Sequence, residues 1–295
     1  MAVCQRVTCH GFLLVGRRCR CAHGMWKIAN FAEQILLYMK PAVYSFLALL
    51  SILWSCDMAV APAPDLLELP AVTAQDNIVR YQGYVSSYNT TTLIPNWVAY
   101  ELTADETYGD ATREDKIFSM DMNFKGKQAR REDYRQSGWT KGHMAPAGDF
   151  FWSDEAMAET FYFMNICPQK EELNNKDWQY LEKQVRRWAR EFGKVWVVTG
   201  PIIGDNKYGT IGDNHVIIPD AFFKVVLAKD GDKYQSIGFV MQNDKGRYYL
   251  EKCAISADDL ELMTGYDFYP ALPDDIEEKI ESNYNLAFWD IDYKR

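Results

Sequence analysis

An amphipathic segment flanked by runs of strand-forming residues most constrains the fold of this chain. Apolar side chains recur in it at intervals of three and four positions, at Trp178, Leu181, Val185, Trp188 and Phe192. This spacing predicts a helix over residues 174–192 that buries one face. Runs rich in valine, isoleucine and aromatic residues, which are typical of strands, cover residues 97–102, 161–166, 195–199, 215–218, 222–228 and 236–241.

Two shorter helices are predicted toward the C-terminus, at residues 257–264 and 273–282. Ser256 is a favoured N-cap for the first helix. Asp274 and Asp275 suit the positively polarised first turn of the second. The order of strands, one long helix, more strands and then helices predicts an α+β domain with an antiparallel or mixed sheet.

The N-terminal part of the chain does not resemble the rest. Residues 1–38 hold four of the seven cysteines, and we expect the native protein to start at Met39. From there a lysine, an apolar stretch and a small residue before Cys56 have the layout of an export signal, and the last residues resemble a bacterial lipobox. We therefore expect an exported protein, either a cell-envelope lipoprotein anchored to the membrane through Cys56 or a periplasmic or secreted one. A mitochondrial or internal location is the alternative.

Three regions follow from this division: residues 1–56 as extension and signal, 57–77 as a tether, and 78–295 as one domain. Residues 57–295 carry 26 basic and 40 acidic side chains, a net charge of -14. Such a balance argues against binding nucleic acid through overall charge. Basic residues still cluster at positions 125–141 and 183–194, where they form either a local positive groove or ordinary solvated faces. Sequence leaves open whether Cys167 and Cys253 pair.

A glycine-rich motif around His143 carries the clearest chemistry. Neutral imidazole is the side chain best suited to take a proton from water near neutral pH. Lys141 lies two positions before it and can neutralise a phosphate oxygen, while Gly142 allows the backbone to approach closely. A purely structural histidine is the alternative. The second histidine of the domain, His215, is expected to be structural.

Asn174 is a candidate ligand for a metal ion, and Glu182 is a candidate for holding water bound to that ion. An amide oxygen is a hard donor that suits Mg²⁺, which needs few protein ligands. Eight positions separate the two residues, so a helix places them on one face. The alternatives are an N-cap at Asn174 and an ordinary helix-surface pair between Glu182 and Arg186.

His143, the run 165–169, Leu173-Asn174 and the Trp178, Leu181, Glu182 set together resemble the DNA/RNA non-specific endonuclease family. Its hallmarks are Asp-Arg-Gly-His, then Ser-Asn-x-x-Pro-Gln, Leu-Asn and Trp-x-x-Leu-Glu, and here they recur in order, with Met164 in place of the serine. The similarity extends from about residue 96 to 270. It implies a ββα-metal (His-Me finger) nuclease fold, with a central, mainly antiparallel sheet flanked by helices.

The resemblance also implies roles for single residues. His143 is expected to be the general base, Asn174 the direct ligand of one Mg²⁺, with Mn²⁺ as the alternative, and Glu182 the group that orients water on the metal. Asn165 is expected beside the site, where it helps to hold the base or the phosphate. Arg113 matches in position an arginine that stabilises the phosphate. Products with 5′ phosphates are expected.

Two positions of the motif depart from the family pattern. Thr140 and Lys141 stand where the family usually has aspartate and arginine. Lys141 keeps the positive charge of a catalytic cation but loses bidentate geometry, and Thr140 keeps a hydroxyl in place of a carboxylate.

Three functions are therefore open. The first is a Mg²⁺-dependent endonuclease that hydrolyses DNA and RNA, the second a catalytically weakened, surface-tethered nucleic-acid-binding protein, and the third a hydrolase of another phosphodiester.

Overall fold

The computed structural model describes residues 66–73 and 76–291. All of them belong to one compact unit that spans residues 63–295. The predicted signal segment and Cys56 lie outside the described residues. No helix among those residues is long and apolar enough to cross a membrane.

The strands form one large antiparallel sheet and two small ones. Their bounds are β1 Ile78–Arg80, β2 Val85–Asn89, β3 Ile94–Thr103, β4 Thr140–His143, β5 Ile166–Gln169, β6 Lys194–Ile202, β7 Thr210–Ile211, β8 Val216–Ile217, β9 Ala221–Asp230, β10 Lys233–Gln242 and β11 Ala254–Ile255. The large sheet has the order β1-β2-β3-β6-β9-β10-β11, and each neighbouring pair is antiparallel. β4 pairs with β5, and β7 with β8. The mainly antiparallel sheet predicted from the sequence is confirmed.

Both faces of this sheet are buried. Successive side chains of a strand point to opposite faces, and in β3 Tyr100 belongs to one hydrophobic cluster and Ala99 to the other. Every residue from Ala221 to Ala228 in β9 is buried, which is typical of a strand covered on both sides. The cluster that contains Tyr100 also holds the apolar face of the long helix.

The helices cover these two faces. Their bounds are α1 Asp154–Glu159, α2 Gln179–Phe192, α3 Leu250–Cys253, α4 Ala257–Thr264, α5 Asp274–Glu281 and α6 Leu286–Trp289. α2 buries Leu181, Val185 and Trp188 and ends at Gly193, whose φ of 82° suits a residue without a Cβ. The two predicted C-terminal helices are confirmed as α4 and α5, and the Ser256 hydroxyl accepts a hydrogen bond from the Asp259 N–H at 3.1 Å.

The predicted strand over residues 161–166 is wrong. Phe163–Asn165 form a 3₁₀ turn, and the strand starts only at Ile166. Phe163 and Met164 are fully buried from that turn, so their burial explains the aromatic and apolar run without a strand. The strand predicted at 215–218 shortens to β8, because His215 adopts a left-handed conformation with φ of 59° on the exposed turn before it.

The start of the long helix also differs from the prediction. Leu173–Trp178 form a wide π-helical turn, which α2 continues as an α-helix. Asn174 is therefore not an N-cap: its own N–H donates to the Lys170 carbonyl at 2.9 Å, inside the helical segment. Local spacing predicted the helix, but the wider turn changes which side chains face the same way.

The folded unit starts before Ile78. Leu67 is buried in the cluster on the α4 and α5 face, and the Ala71 N–H donates to the Asp267 carbonyl at 2.8 Å. Both residues lie in the segment that the sequence predicts as a tether. Cys167 and Cys253 are both buried, and they form no disulfide with each other.

Candidate active site

A two-stranded hairpin packed beside a helix builds the candidate site. β4 and β5 pair with Thr140 opposite Gln169 and His143 opposite Ile166. The π-helical turn and α2 follow directly after β5. Gly142 is required in this hairpin, because a Cβ there would lie 2.1 Å from the Gln169 side-chain oxygen.

The hairpin and the helix enclose a small polar cavity of about 160 Å³. Charged and amide side chains dominate its lining, and the chemically relevant ones are Arg113, Lys141, His143, Asn174, Glu182 and Arg186. The structure therefore brings together five of the six residues that the sequence singles out. Asn165 is the exception.

His143 is mostly buried at the wall of the cavity. Its ring packs against Phe118 and Phe161, at centroid distances of 5.3 and 5.0 Å. Among the described residues none forms a hydrogen bond with its buried Nε2. Burial, and then the positive charge of Arg113, lower the pKa of His143 to about 3. The imidazole is therefore uncharged at neutral pH and able to accept a proton.

Asn174 is oriented by the residue that departs from the family motif. Its amide Nδ2 donates to the Thr140 hydroxyl at 3.3 Å, and that hydroxyl donates to the Gln169 carbonyl at 2.9 Å. No described residue donates a hydrogen bond to Asn174 Oδ1. Thr140 therefore uses the nitrogen end of the amide and leaves the oxygen end for a ligand.

Glu182 faces the cavity without a direct ion pair in the described part of the chain. Burial raises the pKa of its carboxyl, and the positive charge of Lys224 opposes that rise. Lys224 is fully buried in β9, where its Nζ donates to the Met144 carbonyl at 3.3 Å and lies 5.1 Å from the centre of the Trp178 ring. Burial lowers the pKa of this amine, and Glu182 opposes the fall. Each group favours the charged form of the other.

Arg186 pairs with a buried aspartate and not with Glu182. Its Nη1 donates to Asp149 Oδ1 at 2.5 Å, and the Tyr100 hydroxyl donates to Oδ2 of the same carboxylate at 2.9 Å. The helix-surface pair between Glu182 and Arg186, considered as an alternative from the sequence, is not formed. The Glu182 carboxylate therefore faces the cavity.

Asn165 supports the site from behind. Its amide Nδ2 donates to the carbonyls of Ala145 and Thr160 at 2.8 and 2.9 Å, and its Oδ1 accepts from the Ala145 N–H at 2.8 Å. The Asn165 carbonyl also accepts from the Met144 N–H. The fully buried side chain thus fixes the segment that follows His143 and does not line the cavity.

The two expected phosphate cations differ in their surroundings. Arg113 is on an exposed loop and its guanidinium lies 5.9 Å from the centre of the Phe161 ring. The Lys141 ammonium lies 5.4 and 5.3 Å from the rings of Phe118 and Tyr134. Burial and the positive charge of Arg131 lower the pKa of Lys141.

Sequence reasoning missed three charged residues of the site. Lys224 interrupts an otherwise apolar strand run, and Asp149 ends the glycine-rich motif, so both left a signal in the sequence. Lysine and aspartate are rarely buried unless they are paired. Arg186 was considered only as a partner of Glu182, because its true partner lies 37 positions away.

The residues present fit a divalent metal ion. One amide oxygen and one carboxylate, neither bonded to another described side chain, line the same cavity as a neutral imidazole. Oxygen donors of this kind suit hard cations such as Mg²⁺ and Mn²⁺. An ion there would also compensate the buried charge of Glu182.

A β-hairpin carrying the histidine, followed by a helix carrying the amide and the carboxylate, defines the ββα-metal nuclease fold. Residues 66–275 match the family model described as DNA/RNA non-specific endonuclease. The chain belongs to this family.

Individual relatives agree with the assignment. Nuclease EXOG, mitochondrial, of Danio rerio is 38% identical over 207 residues, which cover 65% of this chain and 60% of the relative. Endonuclease G, mitochondrial, of Homo sapiens is 34% identical over 203 residues, 64% of this chain and 68% of that protein. The chain therefore spans about three fifths of the length of the EXOG relatives that it matches.

The fold has a solved counterpart. A structure of the EndoG/EndoGI complex, which concerns the inhibition of EndoG, superposes with a TM-score of 0.65 at 28% identity. The match covers 72% of this chain and 92% of the other.

Proposed function

We propose that the protein is a metal-dependent endonuclease that hydrolyses phosphodiester bonds of DNA and RNA. One observation carries the proposal: a single cavity holds a neutral histidine, an amide oxygen and a carboxylate, ringed by the cations Arg113, Lys141 and Arg186. Such a set can bind a phosphate, keep a dication beside it and accept a proton. The names of the relatives support nucleic acid as the substrate.

His143 acts as the general base. Its neutral imidazole takes a proton from a water molecule while the water oxygen forms a bond to phosphorus. The bond from phosphorus to the 3′ oxygen breaks, and that oxygen acquires a proton from solvent. The products are a 5′ phosphate and a 3′ hydroxyl.

Asn174 would hold the metal ion, which we expect to be Mg²⁺ with Mn²⁺ as a substitute, and Glu182 would orient the water bound to it. The bound ion supplies Lewis-acid stabilisation of the charge on the phosphate and on the leaving oxygen. Thr140 directs the Asn174 oxygen toward it, and Lys224 favours the ionised form of Glu182. The arriving negative phosphate also raises the pKa of His143 from its low resting value, which improves it as a base.

Arg113, Lys141 and Arg186 bind phosphate oxygens and not bases. The remaining lining contains small residues, Pro146, Ala147 and Gly148 among them, and the described residues that line the cavity include no aromatic side chain on which a base could stack. Recognition through phosphate alone carries no sequence information. This supports cleavage of both DNA and RNA.

The test is incubation of the purified protein with plasmid DNA and with RNA, with Mg²⁺, Mn²⁺ or EDTA. Metal-dependent cleavage of both substrates is expected, and it should disappear in His143→Ala and Asn174→Ala. His215→Ala is the matched control, because that histidine is exposed and lies outside the cavity. Cleavage that persists in His143→Ala would refute the assignment of His143 as the base. Cleavage in EDTA would refute the requirement for a metal ion.

A second candidate is a catalytically weakened nucleic-acid-binding protein. The position of Lys141 favours it, because an ammonium beside two aromatic rings cannot make the bidentate phosphate contact of an arginine. It predicts metal-independent retention of DNA in a gel-shift assay and no cleavage product in any metal. Cleavage of a simple phosphodiester alone, with both nucleic acids untouched, would favour the third function.

For its location we propose export through the segment 39–56, with lipid attachment at Cys56. The sequence layout supports this, while the mitochondrial relatives and the six basic against one acidic residue in 1–56 support import into mitochondria. Cys56→Ser should move the protein from the membrane to the soluble fraction. Unchanged fractionation, or recovery in mitochondria, would refute the lipid anchor.

A further inference from the structure

Three carboxylates meet on the face of the sheet opposite to the candidate active site. Asp258 and Glu261 lie on α4 and Glu281 ends α5, and their carboxylate oxygens lie within 4.8 Å of one another. Leu260 and Ile280, beside them on the same helices, pack in the hydrophobic cluster on this face. α2, which carries Glu182, contributes its apolar residues to the other cluster.

Glu281 is the unusual member of this group. Its side chain is only 6% exposed, and Oε1 has no hydrogen-bond partner in the part of the chain that the structure describes. A buried, unpaired carboxylate is costly, because burial removes the water that stabilises its charge. Helix α5 nevertheless places this acid beside two others.

A tyrosine near these acids adds a second buried polar group. The hydroxyl of Tyr269 is also buried without a partner among the described residues, and the negative charges of Glu281 and Glu261 raise the pKa of this tyrosine. Glu261 has one carboxylate oxygen engaged by the Phe268 N–H at 2.7 Å, which fixes the orientation of the group. No lysine or arginine within 4.0 Å pairs with these three acids in the described residues.

Two occupants could relieve the repulsion: a proton or a cation. In the metal-free protein, burial and then the neighbouring acids raise the pKa of Glu281 to about 9, so a proton neutralises that one acid. A dication neutralises two of the three charges. It also gives the orphaned Oε1 a ligand contact, which a proton on the other oxygen does not.

We propose that Asp258, Glu261 and Glu281 bind a calcium ion that joins α4 to α5. Oxygens about 4.8 Å apart can both lie at the roughly 2.3–2.6 Å that Ca²⁺ prefers. Mg²⁺ demands shorter distances of about 2.0–2.1 Å and near-octahedral geometry, and it fits three scattered carboxylates less well. The site is separate from the active-site cavity and does not depend on the proposed nuclease function.

Isothermal titration of the full chain with CaCl₂ tests the proposal. The Asn174→Ala variant is the background, because it weakens any binding in the active-site cavity. We expect one Ca²⁺ per chain with a dissociation constant of about 0.1–1 mM, as is typical of sites with few carboxylates. Glu281→Gln and the exposed Asp258→Asn should each weaken binding at least about tenfold, within the range for changed ligand charge.

Glu278→Gln is the matched control, since it removes one charge from an exposed position of the same helix. Its affinity should stay within about twofold of the background, because an exposed charge contributes little to a specific site. Absence of Ca²⁺ binding in the background, unchanged binding in Asp258→Asn, or equal weakening by Glu278→Gln would each overturn the proposal. Equal affinity for MgCl₂ would overturn the assignment to calcium.

Discussion

Burial of a neutral His143 predicts that the fold loses stability in acid through this one side chain. The folded pKa of about 3 lies well below the ordinary histidine value of 6.5. The unfolded chain therefore binds a proton below pH 6.5 that the native protein does not bind, and this favours unfolding. The stabilising contribution is complete above about pH 6.5 and falls as the pH drops toward 3.

The magnitude follows from the two pKa values. Between about pH 7.5 and about pH 4.5 the unfolded histidine goes from nearly neutral to about 99% protonated, while the folded one stays neutral. The linkage relation gives a loss of ~2.6 kcal/mol in the free energy of unfolding. This loss is about 20 to 50% of the free energy of unfolding of a typical native protein, which is about 5–15 kcal/mol.

Urea denaturation in EDTA at the two pH values, for the wild type and His143→Gln, measures this contribution. Other titrating groups act in both proteins, so the difference between their acid losses isolates His143. We expect the wild type to lose ~2.6 kcal/mol more than the variant. A difference below about 0.5 kcal/mol would mean that the histidine titrates normally in the fold, and the neutral, buried base would be refuted.

Three further changes test the supporting residues. Thr140→Val should weaken Mg²⁺ binding about tenfold in a titration, because the amide ligand loses its orienting partner, and Thr140→Ser should restore it; equal affinity in both variants would contradict the role. Gly142→Ala should destabilise the protein by about 1–3 kcal/mol in urea, because the new methyl group meets Gln169, and a neutral effect would contradict the close approach. Lys224→Met should lower the free energy of unfolding in urea by about 3 kcal/mol, because Glu182 loses its compensating charge; adding Glu182→Gln should recover part of the loss, and strict additivity would refute the coupling.

Local patterns predicted the elements that depend on local interactions. Helix α4 begins and ends at the predicted residues because a serine N-cap and Gly265 after its last turn define both ends within the segment. The family motifs likewise predicted five residues of the cavity by position. Four of them meet because β4, with Lys141 and His143, pairs with β5, and the helical segment that carries Asn174 and Glu182 follows β5 directly.

The features that the sequence did not predict depend on contacts between residues that are distant in the chain or on details of local geometry. The apolar spacing predicts one regular helix from residue 174, and it gives no sign of the π-helical turn at Leu173–Trp178. The partner of Arg186 is a residue of a distant loop. A strand-like run at 161–166 proved to be a turn, because Asn165 satisfies two backbone carbonyls from inside it.

The two departures from the family motif affect different steps of the proposed reaction. Thr140 keeps a hydrogen bond to the Asn174 amide, so the geometry for holding a metal is preserved although a carboxylate is absent. Lys141 keeps a charge near the phosphate but lies against aromatic rings, where its burial lowers the pKa of the amine. A single ammonium gives one direction of attraction where a guanidinium gives two parallel hydrogen bonds. Metal affinity should therefore resemble that of a site with an intact motif, while the hold on the phosphate depends more on Arg113 and Arg186.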